Sequence, residues 1–318
     1  MIEREILLSM NGIEKKFGDV QVLKKVDMEV ARGEVHALMG ENGAGKSTLI
    51  KILTGVYPKD GGSITFAGKT CEINSRSDAQ KLGIGVIYQE LSLIPTLSVM
   101  QNVMLGKEKS GCGLLKIREM KKKVSDLIQY YDFNLQPDAI VETLSIAQRQ
   151  TVEILKALSE DSSLIIMDEP TASLSSKESE ALFGIINQLR EKGVSILYIS
   201  HRLEEVFRLA DRLTVLRDGK KVAVLEKEQI NPPDVIKMMI GKELSEATAS
   251  RYLHRSNMEP VLEVRSLSRK GTFSDISFTL HRGEILGIGG LVGAGRTEVL
   301  RCIFGADPYD SGEILVDQ

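Results

Sequence analysis

Residues 40–48 read GENGAGKST. The run EVHALM before them is short and apolar, and LIKILTGV after them has helical spacing. Strand, glycine loop and helix in that order form the setting in which a P-loop works. Successive backbone N–H groups wrap a phosphate chain, and the helix N-terminus adds its partial positive charge. Gly40, Glu41, Asn42, Gly43, Ala44, Gly45, Lys46, Ser47 and Thr48 are therefore the candidate nucleotide cradle. Lys46 is expected to reach the β- and γ-phosphates of the nucleotide, and Ser47 to ligate Mg²⁺.

Three further stretches supply the chemistry a phosphate cradle needs. LIIMDEP at 164–170 is an apolar strand ending in two acids. Asp168 is expected to hold the metal's shell and Glu169 to polarise an attacking water. VSILYIS delivers His201 just beyond a buried strand, where a γ-phosphate contact is expected. GVIYQ delivers Gln89 in the same way, as a contact to Mg²⁺ or the water. LSIAQRQ at 144–150 precedes the amphipathic run TVEILKALSE, and Ser145 stands where a helix N-cap belongs.

The P-loop has an echo. Residues 290–298 read GLVGAGRTE, and the 250-residue offset holds without slipping from Arg32 to the end. Arg32-Gly33-Glu34 meets Arg282-Gly283-Glu284; Pro58, Asp60, Gly62 and Ile64 meet Pro308, Asp310, Gly312 and Ile314. Such a repeat sets the domain plan: residues 1–245 form one domain, 246–258 a polar linker, and 259–318 the opening of a second, homologous domain. About a quarter of a domain buries little apolar surface alone, so this piece is expected to pack against the first domain or to be poorly ordered.

At 42% hydrophobic and 27% charged, with a net charge of −3, the chain has a soluble globular composition and no electrostatic reason to bind nucleic acid. Cys71, Cys112 and Cys302 are scattered and expected to be free thiols of a reducing compartment. No run of about 18 apolar residues is present to span a membrane, and the N-terminal apolar stretch is too short for a signal peptide.

Taken in order, these elements resemble the ATP-binding-cassette (ABC) family: Phe17 as the adenine-stacking aromatic, the P-loop, Gln89, the LSIAQ signature, the acidic strand end and His201. YQELSLIPTLSV, DEPTASLS, ISHRLEEVFRLADRLTVLRDG and MMIGKEL look like ATPase subunits of bacterial monosaccharide importers of the ribose/galactose/xylose type, which carry two fused cassettes. The resemblance implies an α/β P-loop NTPase fold with a RecA-like core. It adds an antiparallel β subdomain from the opening strands and a helical subdomain around 92–160. It also implies ATP hydrolysis with Mg²⁺ between head-to-tail cassettes, with Ser145 and Gln148 of one signature on the nucleotide held by the opposing P-loop. The implied partners are transmembrane permease subunits, indirectly a periplasmic or lipid-anchored sugar-binding protein, and a second cassette or second copy. The implied location is cytoplasmic, peripheral on the inner face of the cell membrane. ELSLIPTLSVMQNVML (90–105) is expected to face the permease, although its apolar residues also suit a helical core. The KKK at 121–123 reads as a solvated helix face.

Departures from the family pattern fall on one composite site. The usual LSGGQ has Ile146 and Ala147 in place of both glycines. The P-loop that this signature would face in a fused pair carries Arg296 and Glu298 where the first copy has Lys46 and Thr48. A guanidinium does not substitute for an ammonium at a tight phosphate site, so that site is expected to bind weakly or turn over slowly. The aspartate usual after the acidic strand is Ser175. Two other readings stand beside a transport motor: a nucleotide-binding fragment or regulator without turnover, and a soluble ABC ATPase acting on ribosomes or DNA. The latter is disfavoured by the short, non-basic connector and the lack of sustained heptads.

Overall fold

A computed structural model describes residues 4–88, 91–108, 110–111, 114–172, 174–241, 259–290 and 294–316. The chain divides into two compact units, Met1–Glu243 and Leu244–Gln318.

In the first unit, strands β1 (Ile6–Phe17) and β2 (Val20–Ala31) form a long antiparallel hairpin. Strand β3 (Val35–Met39) runs into the glycine loop and helix α1 (Lys46–Leu53). Next come β4 (Gly61–Phe66), β5 (Lys69–Cys71), helix α2 (Arg76–Lys81) and β6 (Ile84–Ile87). Helix α3 (Val99–Met104), the hairpin β7 (Ser110–Gly111) with β8 (Leu114–Leu115), helix α4 (Ile117–Tyr130) and helix α5 (Ile146–Leu158) follow. Strand β9 (Leu164–Asp168), helix α6 (Ser176–Glu191), strand β10 (Ser195–Ile199) and helix α7 (Leu203–Leu209) return to the core. Strands β11 (Arg212–Arg217) and β12 (Lys220–Glu226) and helix α8 (Pro232–Ile240) complete the unit.

The central sheet has the order β12-β11-β3-β10-β9-β6. All neighbours are parallel except the β11–β12 pair. Strands covered on both faces must be apolar along their length, and the five residues of β3 and of β10 are all buried. One face packs on α1 and on the antiparallel sheet β2-β1-β4-β5 through Leu38, Leu197, Leu49 and Leu53. The opposite face packs on α3, α5 and α6 through Val103, Leu155 and Ile186. The antiparallel layer thus draws on residues 61–71 as well as on the opening hairpin that the sequence suggested. Helices α3 to α5 supply the helical layer.

Within 90–105 the described structure buries Val99, Val103 and Met104 in this core and leaves Ile94 and Leu105 exposed. Asn102, itself buried, accepts from Ile94 N and donates to the carbonyls of Ile94, Leu97 and Ser98, which fixes the loop ahead of α3. The three lysines on α4 have local partners: Lys121 pairs with Asp138, Lys122 with Asp126, and Lys123 donates to Ser159 O.

The second unit repeats part of this plan. Strands β13 (Pro260–Arg269) and β14 (Phe273–His281) form a hairpin. Helix α9 (Arg296–Ile303) and strand β15 (Ser311–Val316) follow, with β15 antiparallel to β13. The bounds of α9 and β15 stand 250 residues beyond those of α1 and β4. The hairpin shows that the repeat extends upstream of Arg32. Pro260 pairs with His281 as Ile6 pairs with Ala31, across a hairpin four residues shorter. One element does not repeat: residues 284–290, the counterpart of β3 and its flanks, form no strand, and Ile285 is 96% exposed. Among the described residues Val264, Leu267 and Cys302 form this unit's small core cluster, and Val299 is also buried.

Candidate functional site

Parallel strands deliver their loops to one end of the sheet, and ligands of such sheets sit there. Strand β3 neighbours β10, and β10 neighbours β9, in a register that sets Leu38 and Asp168 beside Ile199. The glycine loop, the acid pair and His201 therefore emerge together.

The loop's shape depends on its glycines. Gly45 is the N-cap of α1 at φ 104°, a region that favours glycine, and a Cβ there would meet Leu23 Cδ2 at 2.6 Å. Gly40 packs so closely on β11 that a Cβ would stand 2.4 Å from Leu216 O. Lys46 Nζ donates to the carbonyls of Gly40 (2.6 Å) and Glu41 (3.1 Å), so the ammonium is folded over the loop it belongs to. Burial pulls Lys46 below the usual lysine range, while Glu169 and Asp168 act in the opposite direction. Burial and the neighbouring Glu169 push Asp168 up, against the attraction of Lys46 and Lys51.

A cleft of about 200 Å³ opens over the loop. Asn42, Gly43, Gly45, Lys46, Ser47, Thr48, Asp168 and Glu169 line it, together with Val22. Val22 carries no motif. It is present because β2 passes beneath the loop, a tertiary fact without a local sequence signal. Glu169 holds φ 47°, an uncommon conformation for a non-glycine residue. Its N–H donates to Ile199 O (2.9 Å) and its carbonyl accepts from Ala172 N (3.1 Å), which keep it there. Strain of this kind costs on the order of 1–3 kcal/mol and persists where the surroundings over-determine it, often at functional sites. The turn brings Glu169 Oε1 to 3.1 Å from His201 Nδ1; the imidazole is largely exposed.

Other sequence candidates lie elsewhere. Phe17 does not line the cleft; it packs edge-on against Tyr57, with ring centroids 5.1 Å apart. Ser145 and Gln148 also lie outside the lining, and form a capping box at the start of α5: Ser145 Oγ accepts from Gln148 N, and Gln148 Oε1 from Ser145 N. Ser175 caps α6 with Glu178 in the same way, a role that serine fills as well as aspartate. Gln89 and Cys112 lie outside the described residues. Cys71 and Cys302 are free.

Ser47 and Asp168 offer hard oxygen donors beside the cradle, which suits Mg²⁺. Among the described residues no group of three or more His, Cys, Asp or Glu is placed to hold a metal unaided. A cation here would need phosphate and water oxygens to complete its shell. No helix among the described residues is long and apolar enough to cross a membrane.

The chain is similar to known proteins in sequence and in fold. The model of the family described as "ABC transporter" matches residues 23–172 and 273–318. The chain is 44% identical over 313 residues to the ribose import ATP-binding protein RbsA of Geobacillus kaustophilus, covering 98% of this chain and 63% of that protein. It is 49% identical over 312 residues to a putative ribose/galactose/methyl galactoside import ATP-binding protein of Burkholderia cenocepacia, covering 98% and 61%. The chain thus spans a little under two thirds of the length of these curated relatives. Among solved structures, the ADP conformation of MJ1267, an ATP-binding cassette of an ABC transporter, superimposes with a TM-score of 0.65 at 28% identity. It covers 74% of this chain and 99% of that one.

Proposed function

The chain belongs to the ABC transporter family, and from that membership we propose that it binds MgATP at Lys46 and hydrolyses it to power monosaccharide import. The observation that carries the reading is the meeting of Glu169 and His201, 3.1 Å apart, beside a cleft that Lys46, Ser47 and Asp168 also line. The loop N–H groups and Lys46 neutralise the phosphates; on binding, Lys46 exchanges its two carbonyl partners for phosphate oxygens. Ser47 and Asp168 would hold Mg²⁺, which when bound neutralises charge on the β- and γ-oxygens. Glu169 orients and polarises water toward the γ-phosphorus. As the new P–O bond forms, the bond to the β–γ bridging oxygen breaks, giving ADP and inorganic phosphate. His201 steadies the γ-phosphoryl group.

In this reading residues 1–245 are a first nucleotide-binding domain and 259–318 the opening of a second, joined by 246–258. Phe17 stacks on adenine. Ser145 and Gln148 act on the nucleotide of an opposing cassette. The site formed around Arg296 is the slower one. The motor sits on the cytoplasmic face of the membrane against permease subunits fed by a sugar-binding protein. The relatives named for ribose and galactose import support the substrate class.

The test is ATP turnover against protein concentration, for the chain and for Glu169→Gln. A rate per molecule that climbs with concentration and disappears in the variant, with nucleotide binding retained, is the expected result. A flat, near-zero rate beside tight binding would replace the motor with a nucleotide-binding regulator.

A further inference from the structure

Behind the acid–histidine pair lies a carboxylate to which no sequence motif gave a role, although it falls within the stretch ISHRLEEVF. Glu205, on the first turn of α7, is only 6% exposed. Four donors converge on it. Thr171 Oγ1 donates at 2.7 Å, Ser200 Oγ at 2.8 Å, Tyr198 OH at 2.9 Å and Arg202 Nη1 at 3.4 Å. Ser200 Oγ accepts in turn from Arg202 N at 3.0 Å. Tyr198 belongs to β10, and the other three belong to the two loops that matter: Thr171 stands two residues after Glu169, and Ser200 and Arg202 flank His201.

A buried carboxylate is tolerated only where its lone pairs are fully used. Here they are used to tie the loop after β9 to the loop after β10. The backbone bond from Glu169 N to Ile199 O makes a second tie between the same segments. The sheet pairing ends at Asp168 and Ile199, so beyond that single backbone bond the course of the two loops depends on side-chain ties. The separation of Glu169 and His201 is set by what holds the loops. We infer that Glu205 is a positioning residue that sets the distance and orientation between Glu169 and His201, and with it the rate of the hydrolytic step. This rests on the reading of Glu169 and His201 as the hydrolytic pair.

Glu205→Gln tests it. A glutamine keeps the volume, but its NH₂ faces hydroxyl donors it cannot accept from. In the full chain the variant is expected to lower kcat at least tenfold, since small misplacements at a reacting centre cost up to about 100-fold. KM for MgATP and nucleotide affinity are expected to stay within about twofold. Thr171→Val and Ser200→Ala, each removing one donor, are expected to lower kcat alone but to add nothing in the Glu205→Gln background. Glu205→Asp, which keeps the charge but not the reach, is expected to recover part of the rate. Unchanged kcat, losses that add across the cycle, or a rise in KM equal to the fall in kcat would overturn the inference. Hydrogen exchange decides independently of turnover. In Glu205→Gln the amides of 169–172 and 199–202 are expected to open together, ahead of the rest of the unit. Loosening of one loop only, or of neither, would also overturn it. A wild-type chain without turnover would remove the hydrolytic reading alone and leave the exchange result to judge the tie.

Discussion

Gly45 shows how narrow the tolerance is at the scale of one residue. It combines φ 104° with a Cβ position 2.6 Å from Leu23 Cδ2. An alanine there meets both a backbone penalty and a contact that only Leu23 can relieve. Gly45→Ala is expected to cost about 1–3 kcal/mol in urea denaturation and to weaken MgATP binding at least tenfold, read by nucleotide titration. The cradle was legible in the sequence because all of its chemistry sits in nine consecutive residues. Asp168, Glu169 and His201 were legible for a related reason: each follows a short apolar run, and such runs end at the same edge of a parallel sheet. Val22 and Glu205 were not legible. Val22 takes its meaning from the crossing of β2 beneath the loop, and Glu205 reads as an ordinary charge on an amphipathic helix until the fold closes around it. Phe17 entered by resemblance alone and packs against Tyr57, outside the lining of the cleft; its stacking on adenine stays a proposal.

Among the elements, β3 carries more than apolar packing. Its approach holds Glu34, and its second residue is His36, 1% exposed. His36 Nδ1 lies 2.6 Å from Glu34 Oε1, and Nε2 lies 2.8 Å from Thr214 Oγ1 on β11. Arg212 Nε donates to both Glu34 oxygens, at 3.0 and 3.2 Å. A sequence reading of EVHALMG as an apolar strand is correct about the strand and blind to this network, because the partners are separated by 178 residues. Removing one member of a buried pair strands the other, so Arg212→Met is expected to destabilise by about 3–5 kcal/mol in urea. Burial pushes the Glu34 carboxyl up, but its bonds to His36 and Arg212 outweigh that and hold it below its ordinary range. A carboxyl depressed by folding contributes stability above its unfolded pKa, and that contribution is lost as pH falls through the folded value. The urea midpoint should therefore drop on acidification below about pH 4.5. In Glu34→Gln the curve should start lower and fall less steeply over the same window.

For the molecule as a whole, the informative comparison is between its two copies. The shared glycines foretold the repeat, and α9 and β15 keep the offset of α1 and β4. The upstream hairpin escaped the sequence reading because four residues are missing from it and its strands share a pattern rather than identities. Among the described residues the second unit has few buried side chains, so Leu267→Ala, at a cost of about 2–5 kcal/mol, should release the slow-exchanging amides of β13, β14 and β15. The first unit's amides should keep their protection. Retained protection in the second unit would mean that its small core is not what holds it together.

The strand that leads into the first P-loop has its neighbours far along the chain: Val35 pairs with Ile196, and His36 with Arg212. During synthesis the glycine loop therefore leaves the ribosome roughly 160 residues before the segment that flattens its strand, about ten to thirty seconds at ordinary elongation rates. For that interval β3 has neither of its sheet neighbours, and its apolar residues lack the partners that bury them. The nascent chain must shelter them before the protein has anything with which to grip a nucleotide.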